Sequence, residues 1–448
     1  MISKIRAELV SLVRSNFLKS VALVAGGTAI SQLIGISATP VITRLYGPEA
    51  FGVVGSFLAF VTMLKPVISM SYPIAIVLPP EEAEARDLVR LSVAIAFSTC
   101  VVVLLVLIAF GDAIRPLLAL ESISSLILLV PAVLLVMEVV QSSQYWLIRH
   151  KLFKTVAMVN VLNAVFQNGG KIILGLFWAT GAGLIWATFA GVLAQALVMI
   201  RSIRKSGTWQ SPEPGTKTIE VSRLVDLAGE YKDFPLYRCP QIFINSISQS
   251  LPVLMLAGFF GPASAGFYTL ARQIVAAPVR LIGTSVSEVF YPRIVDAVNS
   301  GESPKQLLVK ATAMMALVGL FPFGIIILFG PYIFSLVFGS EWYHAGVYAR
   351  WISLWMYFGF LNRPSVATIP SLGLQRGLLI YEVFSTGSKI LALGLGFLYF
   401  KDDVISVAIF CVFGSIAYLS LIIWVIANSG RQDLLNRIND ERTNQDSP

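Results

Sequence analysis

Charged residues are scarce in this chain. Only 13% of its 448 residues are Asp, Glu, Lys or Arg, whereas soluble domains contain about 25%. Hydrophobic residues make up 56%, which leaves too little polar surface for a water-soluble fold of this length. The composition therefore excludes an ordinary soluble protein and predicts one that crosses a membrane several times.

Residues that serve metal, disulfide or nucleophile chemistry are also rare. The three cysteines, Cys100, Cys239 and Cys411, have no CxxC spacing, and the two histidines, His150 and His344, lie far apart. No phosphate-binding loop of the Walker type occurs. We therefore expect no metal site, no cofactor, no disulfide and no ATP hydrolysis by this chain.

The hydrophobic residues are concentrated in twelve stretches, each about as long as a helix that crosses a bilayer. We find no 10-residue alternating segments of the kind that form closed barrels. The pattern predicts an all-α polytopic membrane protein. The stretches are 20–43, 51–78, 88–110, 123–147, 155–178, 182–203, 235–257, 266–291, 308–330, 345–369, 377–399 and 404–427.

Lys and Arg are distributed unevenly between the connections. If both ends of the chain are cytoplasmic, the inside collects most of the basic residues, including those of the 204–234 connection, and the outside holds little beyond Arg44, Arg115 and Lys401. This asymmetry predicts a multi-pass membrane protein with cytoplasmic N- and C-termini. It also accounts for most of the net charge of +8, so we expect no nucleic acid as a partner.

A short motif occurs twice. "LYGPEAFG" begins at Leu45 and "FFGPASAG" begins at Phe259, and each contains Gly-Pro, three residues and Gly. Pro cannot continue a helix and Gly permits a tight reversal, so each motif predicts a short turn. Both turns follow the first hydrophobic stretch of a six-stretch half, which favours a duplication in which both halves keep the same orientation.

The duplication predicts twelve transmembrane helices in two pseudo-symmetric six-helix bundles around a central cavity. The expected domains are an N-terminal bundle at 1–203, a cytoplasmic linker at 204–234, a C-terminal bundle at 235–428 and a cytoplasmic polar tail at 429–448.

Ionisable residues within the hydrophobic stretches are the strongest indication of function. A charge at the bilayer centre costs ~2.5–3.5 kcal/mol even on the lenient insertion scale, so these side chains must face a wet cavity or opposite charges. Cations outnumber carboxylates, which favours an anionic ligand. The basic residues are Lys65, Lys171, Arg272, Arg280, Arg363 and Lys389, and the acidic residues are Glu138, Glu288 and Glu382.

Two interpretations of these charges stay open. In the first, Lys65, Arg272 and Arg280 bind a diphosphate between the halves, because Arg matches phosphate oxygens bidentately and Lys acts as a point charge. Lys171, Arg363 and Lys389 are further candidates for substrate binding. In the second, the charges form structural ion pairs across the bundle. Glu382 and Lys389, seven residues apart, share a helical face and could interact through an intermediate group or water. The three carboxylates are the candidates for coupling transport to an ion.

Two segments resemble a known family. "ALVAGGTAISQLIGISATPVITRLYGPEAFGVVGSFLAF" is similar to the start of Wzx-type polysaccharide and O-antigen flippases, and "PLYRCPQIFINSISQSLPVLMLAGFFGPASAGFYTLARQIVAAPVRLIGTSVSEVFYPRI" resembles the opening of that family's second half. These flippases belong to the multidrug/oligosaccharidyl-lipid/polysaccharide exporter superfamily. The resemblance extends over nearly the whole chain in topology, whereas its motifs are concentrated in these two segments.

The resemblance implies a transport function. A flippase of this family exports undecaprenyl-diphosphate-linked oligosaccharide repeat units across the inner membrane by alternating access, for surface polysaccharides such as lipopolysaccharide. Its partners would be the lipid-linked substrate, membrane lipids and the polymerase and glycosyltransferases of the pathway. A cation-coupled multidrug antiporter of the same fold is the alternative, although its cavity would be rich in carboxylates. A membrane enzyme is disfavoured because the predicted outside loops are short.

Overall fold

The structure, a computed structural model, describes residues 16–117, 126–209, 221–299, 303–369, 372 and 374–445. In these ranges the chain is helical and contains no strand. The α-helices are α1 Asn16–Leu45, α2 Pro48–Ile68, α3 Glu82–Leu117, α4 Val130–Arg149, α5 Phe153–Phe177, α6 Gly181–Lys205, α7 Val221–Glu230, α8 Cys239–Phe260, α9 Pro262–Asn299, α10 Pro304–Phe338, α11 Tyr343–Leu361, α12 Arg363–Thr368, α13 Gln375–Leu395 and α14 Asp403–Gln445. Short 3-10 helices cover Tyr72–Val77 and Ser340–Trp342, and π-helices cover Phe234–Arg238 and Gly396–Phe400.

Within the described ranges, nine segments are long and apolar enough to cross a membrane. They are Leu23–Leu45, Pro48–Ile68, Glu82–Ile114, Leu126–Arg149, Gly181–Lys205, Phe234–Phe260, Pro304–Phe338, Ile380–Phe400 and Asp403–Gly430. This finding supports the predicted multi-pass membrane protein. The long helices α5, α9 and α11 are not among these segments, so the count of twelve spans stays a prediction.

Helix starts follow local chemistry. The Thr180 hydroxyl accepts a hydrogen bond from the Gly183 backbone N–H at 3.3 Å before α6, and the Asp402 carboxylate accepts one from Ile405 at 2.8 Å before α14. These caps satisfy backbone donors that have no partner inside the helix. Proline occupies the first position of α2, α9 and α10, where its missing N–H costs nothing.

The two Gly-Pro motifs form equivalent turns, which confirms the local prediction. α1 ends at Leu45 and α2 begins at Pro48; α8 ends at Phe260 and α9 begins at Pro262. Gly261 has φ +89°, a conformation that favours glycine because it lacks a Cβ. In both motifs the proline therefore starts the next helix after a glycine that reverses the chain.

By its internal contacts the chain divides into two compact units, Met1–Ala265 and Gly266–Pro448. In the first unit α1 packs along α5, α5 along α6, and α2 against both α6 and α8. This packing places α8 with the first unit, whereas the sequence assigns the corresponding stretch to the second half. The organisation into two six-helix bundles stays a prediction.

Small residues allow close helix packing in the first unit. A Cβ at Gly27 would lie 2.6 Å from the Ala157 Cβ, and one at Gly175 would lie 2.7 Å from the Tyr46 ring. Because α1 and α5 meet at both positions, their backbones approach closely along much of their length. Such contacts are typical of membrane helices, in which small side chains increase van der Waals packing.

The amphipathic helix α7 is fixed to the first unit by its own polar contacts. The Tyr72 hydroxyl donates to the Ala228 carbonyl at 3.0 Å, and the Tyr231 hydroxyl donates to the Glu84 carboxylate at 2.9 Å. Leu227, 5% exposed, completes the apolar cluster around Trp146. The described part of the predicted linker is thus packed onto the bundle.

In the second unit α10 packs against α11, and α11 and α13 both pack against α14. Gly346 on α11 faces the backbone of α10, since a Cβ there would lie 2.5 Å from the Pro331 Cα and 2.6 Å from the Gly330 carbonyl oxygen. Phe323 also packs its ring against Phe360 at 5.9 Å. These contacts join α10 to α11, and α14 links α11 to α13, which contains Glu382 and Lys389.

Candidate functional site

In the first unit a buried carboxylate interacts with a lysine from another helix. Glu138 on α4 is only 4% exposed, and its carboxylate interacts electrostatically with the Lys65 ammonium on α2. Glu138 also accepts a hydrogen bond from the Ser142 hydroxyl at 2.7 Å and one from Ser69. We call Lys65, Ser69, Glu138 and Ser142 the Glu138 cluster.

The Glu138 cluster is close to electrically neutral. A buried ion pair depends on both partners, because removing one leaves an uncompensated charge in a medium of low polarity. The two serine hydroxyls satisfy further lone pairs of the carboxylate. Cys100 on α3, itself buried, also lies within electrostatic range of Glu138. Lys65 therefore has a carboxylate within electrostatic range, and both interpretations of its role stay open.

Lys171 has a different environment. It lies on α5, which packs against α1 and α6, and both neighbours contain membrane-spanning segments. The side chain is partly buried, and none of the carboxylates in the described ranges acts on it electrostatically. The backbone carbonyl of Lys171 accepts a hydrogen bond from the Tyr46 hydroxyl at 2.9 Å. The helix is thus fixed to α1 at this residue, while the ammonium has no acidic partner there.

Two amide side chains lie on the same face of α5 as Lys171, and we call these three residues the α5 stripe. Asn163, Gln167 and Lys171 are spaced at i, i+4 and i+8, which places them along one helical face. The buried Asn163 Oδ1 has no hydrogen-bond partner among the described residues. Gln167 faces α6, because a Cβ at Gly191 would lie 3.1 Å from its Cβ. The α5 stripe therefore combines a positive charge with amide groups that can form hydrogen bonds to a hydroxylated ligand.

In the second unit four charged residues and a tyrosine from four helices interact. Lys389 on α13 is attracted by Glu382 and repelled by Arg272 on α9. The Tyr418 hydroxyl on α14 is within electrostatic range of Arg363, Arg272 and Glu382. We call Arg272, Arg363, Glu382, Lys389 and Tyr418 the Lys389 cluster. Among its described members the cluster has three cations and one carboxylate.

The structure also tests the predicted pairing of Glu382 with Lys389. The two side chains do interact electrostatically, as their seven-residue spacing predicts, but Glu382 is exposed rather than buried. The side chains of Arg280 and Glu288 lie outside the described part of the chain. Their predicted roles, and those of all the other candidate residues, stay predictions.

The sequence interpretation missed Trp355, which lies next to Lys389, and it missed Phe410 and Gly414, which lie against Trp355. Lys389 Nζ lies 5.7 Å from the centroid of the Trp355 ring, and Phe410 and Gly414 both contact this ring. An aromatic residue in an apolar helix gives no distinguishing signal, because most such residues pack in a core. In the described ranges no three His, Cys, Asp or Glu side chains are grouped as metal ligands.

Comparisons with solved structures identify the fold. A lipid II flippase, MurJ, in an inward closed conformation superposes with a TM-score of 0.70 at 13% identity, covering 93% of this chain and 91% of that protein. A multidrug resistance MATE family transporter of the MOP superfamily, in an inward-facing conformation, superposes with a TM-score of 0.68 at 14% identity, covering 90% and 95%. At these identities the likeness shows a shared fold.

Sequence comparison identifies the family. The teichuronic acid biosynthesis protein TuaB of Bacillus subtilis (strain 168) is 23% identical over 226 residues, which cover 50% of this chain and 44% of that protein. The chain is thus matched to less than half the length of this relative. A family described as "Polysaccharide biosynthesis protein" matches residues 41–346, which is more than half of the chain. This match shows that the chain belongs to the polysaccharide biosynthesis protein family.

Proposed function

We propose that this protein is a flippase that moves undecaprenyl-diphosphate-linked oligosaccharide repeat units across the bacterial inner membrane for surface polysaccharide biosynthesis. The observation that supports this substrate most directly is the Lys171 ammonium, which lies on a helix packed between membrane-spanning segments. Lys171 has no carboxylate acting on it in the described ranges, and the Lys389 cluster contains more cations than carboxylates. A diphosphate supplies the missing negative charge.

A charged side chain inside a membrane raises the free energy of the protein. Each cation at the bilayer centre is unfavourable by ~2.5–3.5 kcal/mol or more, so an unpaired cation there needs a functional reason. A diphosphate on a polyprenyl lipid has to pass the same region with its own negative charges. Residues that lower the cost of that passage are paired only while the substrate is bound. Lys171 meets this requirement, since none of the described carboxylates acts on it.

A cation-coupled multidrug antiporter is the second candidate function. The observation in its favour is the buried carboxylate of Glu138, since carboxylates in a membrane can bind a cation or a proton. However, Lys65 lies within electrostatic range of this carboxylate, and the cations Arg272, Arg363 and Lys389 would repel a cationic drug. The lipid-linked anion is therefore the better match to the charges.

The remaining parts of the proposal concern mechanism and context. Transport proceeds by alternating access without catalysis, both termini are cytoplasmic, and Glu138, Glu288 or Glu382 couples export to an ion gradient. The name of the Bacillus relative refers to biosynthesis of a surface polymer, which supports a pathway in which glycosyltransferases build the substrate and a polymerase uses it.

Reconstitution tests this function. The purified protein is placed in liposomes that contain a fluorescent undecaprenyl-diphosphate oligosaccharide, and the fraction of lipid accessible to an external quencher is followed over time. We expect the protein to make the inner-leaflet lipid accessible, and protein-free liposomes to show no such change. A monophosphate analogue, with less charge for the cations, should move more slowly. Accumulation of a cationic dye without any lipid movement would favour the antiporter instead.

A further inference from the structure

The ring of Trp355 on α11 lies against the ammonium of Lys389 on α13. The distance from Nζ to the ring centroid is 5.7 Å, which is within the range of a cation–π interaction. Trp355 is 8% exposed, so protein contacts rather than solvent determine where the ring lies. The ring therefore provides a fixed surface next to a lysine, whose side chain has many rotatable bonds.

Three residues on one face of α14 determine the position of this ring. Phe410 meets it edge-on at 5.3 Å and 78°, and Tyr418 stacks on it at 6.4 Å and 14°. Gly414 lies between them, and a Cβ at this position would be 2.6 Å from both Cδ1 and Nε1 of Trp355. The spacing of i, i+4 and i+8 places all three on the same helical face. Only glycine at the middle position leaves room for the indole.

An aromatic partner has a different electrostatic effect from a carboxylate. Glu382 attracts Lys389 and Arg272 repels it, so these two neighbours act in opposite directions on the ammonium. The face of an aromatic ring attracts a cation through its quadrupole but has no net charge. Trp355 can therefore restrict the position of Lys389 without neutralising it, and the full positive charge stays available to an anion.

We propose that Trp355 is a positioning residue that holds Lys389 in place to bind a phosphate group of the substrate. This inference rests on the proposed function, because it takes the ligand of Lys389 to be the diphosphate of the lipid-linked oligosaccharide. Trp355 itself does not contact the phosphate; it acts through Lys389. Gly414 has a supporting role, since it makes room for the indole.

A double-mutant cycle tests whether Trp355 acts through Lys389. The full-length protein in nanodiscs is titrated with undecaprenyl diphosphate, and binding is measured for the wild type, Trp355→Leu, Lys389→Met and the double variant. We expect Trp355→Leu to weaken binding three- to thirtyfold and the double variant to bind no more weakly than Lys389→Met alone. Trp355→Phe keeps an aromatic face and should restore most of the affinity. Trp186→Leu, at a partly exposed tryptophan on α6, is the matched control and should bind normally.

The outcomes separate this inference from the proposed function. A wild type that does not bind undecaprenyl diphosphate contradicts the proposed function. The role of Trp355 is overturned if the wild type binds and Trp355→Leu binds with the same affinity. It is also overturned if the losses of affinity in Trp355→Leu and Lys389→Met add up in the double variant. If Trp355→Leu does not fold, Gly414→Ala replaces it in the cycle, since the added methyl group displaces the indole while the tryptophan remains. Normal binding by a folded Gly414→Ala would also overturn the inference.

Discussion

Gly52 and Pro262 are in direct contact, although they belong to the two different Gly-Pro motifs. A Cβ added at Gly52 would overlap the carbonyl group of Pro262. The last glycine of the first motif therefore packs against the proline of the second, and α2 continues this contact along α8. The repeated motif thus forms two equivalent turns and also supplies both surfaces of one close backbone contact.

The first prediction concerns this contact. Gly52→Ala should lower the melting temperature of the purified protein, because the added methyl group forces apart two backbones that have no room to move. Inserting a methyl group into a well-packed site costs about 1–3 kcal/mol. Gly169→Ala on α5 is the control, since a Cβ there meets no atom within 4 Å. The control should melt at or slightly above the wild-type temperature. Equal melting temperatures for both variants would contradict the close contact.

The second prediction concerns the Glu138 cluster. Glu138→Gln should destabilise the protein, by up to about 3–5 kcal/mol, because it leaves the Lys65 charge without its partner. The double variant Lys65→Met/Glu138→Gln removes both charges and should regain most of the lost stability. Thermal melting in detergent measures both effects.

The same double variant tests ion coupling. If Glu138 binds the coupling ion, the stable double variant should flip lipid at a rate that no longer responds to a proton or sodium gradient across the liposome. A gradient response equal to that of the wild type would eliminate Glu138 as the coupling residue, and Glu288 and Glu382 would remain as candidates.

The third prediction concerns the attachment of α7. Arg223 is 50% exposed and forms an ion pair with Asp87 at 3.0 Å, and exposed ion pairs contribute only about 0–1 kcal/mol. The hydrogen bond from Tyr231 to the Glu84 carboxylate is charge-assisted, and such bonds contribute ~1.5 kcal/mol or more. Tyr231→Phe should therefore raise hydrogen exchange of the α7 amides roughly tenfold, and Arg223→Gln by less. If Arg223→Gln raised the exchange more than Tyr231→Phe, the ion pair with Asp87 would be the stronger attachment of α7.

The pH dependence of this attachment follows from Tyr231. Burial, together with the hydrogen bond to Glu84, raises the pKa of the Tyr231 hydroxyl to about 12. A group whose folded pKa is raised stabilises the folded state fully below its unfolded pKa of about 10, and that contribution is lost as the pH rises through the folded value. The protection of α7, corrected for intrinsic exchange, should therefore be the same at pH 7 and pH 9. A decrease over this range would contradict the assignment.

The sequence predicts the local parts of this protein well. Helical segments and the two turns depend on neighbouring residues, and both follow from hydropathy and from the positions of Gly and Pro. The pairing of Glu382 with Lys389 is also local, because one helix contains both residues. The partner of Glu138 could not be predicted, since Lys65 is on another helix and only tertiary packing brings the two together. Trp355 shows the same limit: its helix pattern matches that of any core tryptophan, and only the structure shows a lysine next to its ring.

The fourth prediction concerns orientation. The distribution of Lys and Arg predicts that the segment that contains α7 is cytoplasmic and that the turn at Pro262 is periplasmic. A reporter enzyme that is active only in the periplasm should be inactive when fused after Glu230 and active when fused after Pro262. Activity at Glu230 would reverse the proposed topology. The chain between the two fusion points contains one predicted span, Phe234–Phe260, so equal activity would show that this segment does not cross the membrane.

The last prediction distinguishes ligand-binding cations from structural ones. Lys171→Met removes a charge on which no described carboxylate acts, so it should leave the melting temperature unchanged or raise it. Lys65→Met should lower the melting temperature, because the buried Glu138 carboxylate loses its counter-ion. The two lysines therefore provide a matched pair of substitutions with opposite expected effects on stability.

The same substitution at Lys171 that leaves stability unchanged should weaken ligand binding. A charge-assisted hydrogen bond contributes ~1.5–3 kcal/mol, so the loss of Lys171 should weaken the binding of undecaprenyl diphosphate roughly ten- to a hundredfold. Lys171→Arg keeps the charge and should retain part of the affinity. Isothermal titration in nanodiscs, alongside melting of the same samples, measures both quantities. A stable Lys171→Met variant with wild-type affinity would show that this lysine does not contact the diphosphate. In that case the Lys389 cluster would be left as the candidate anion site.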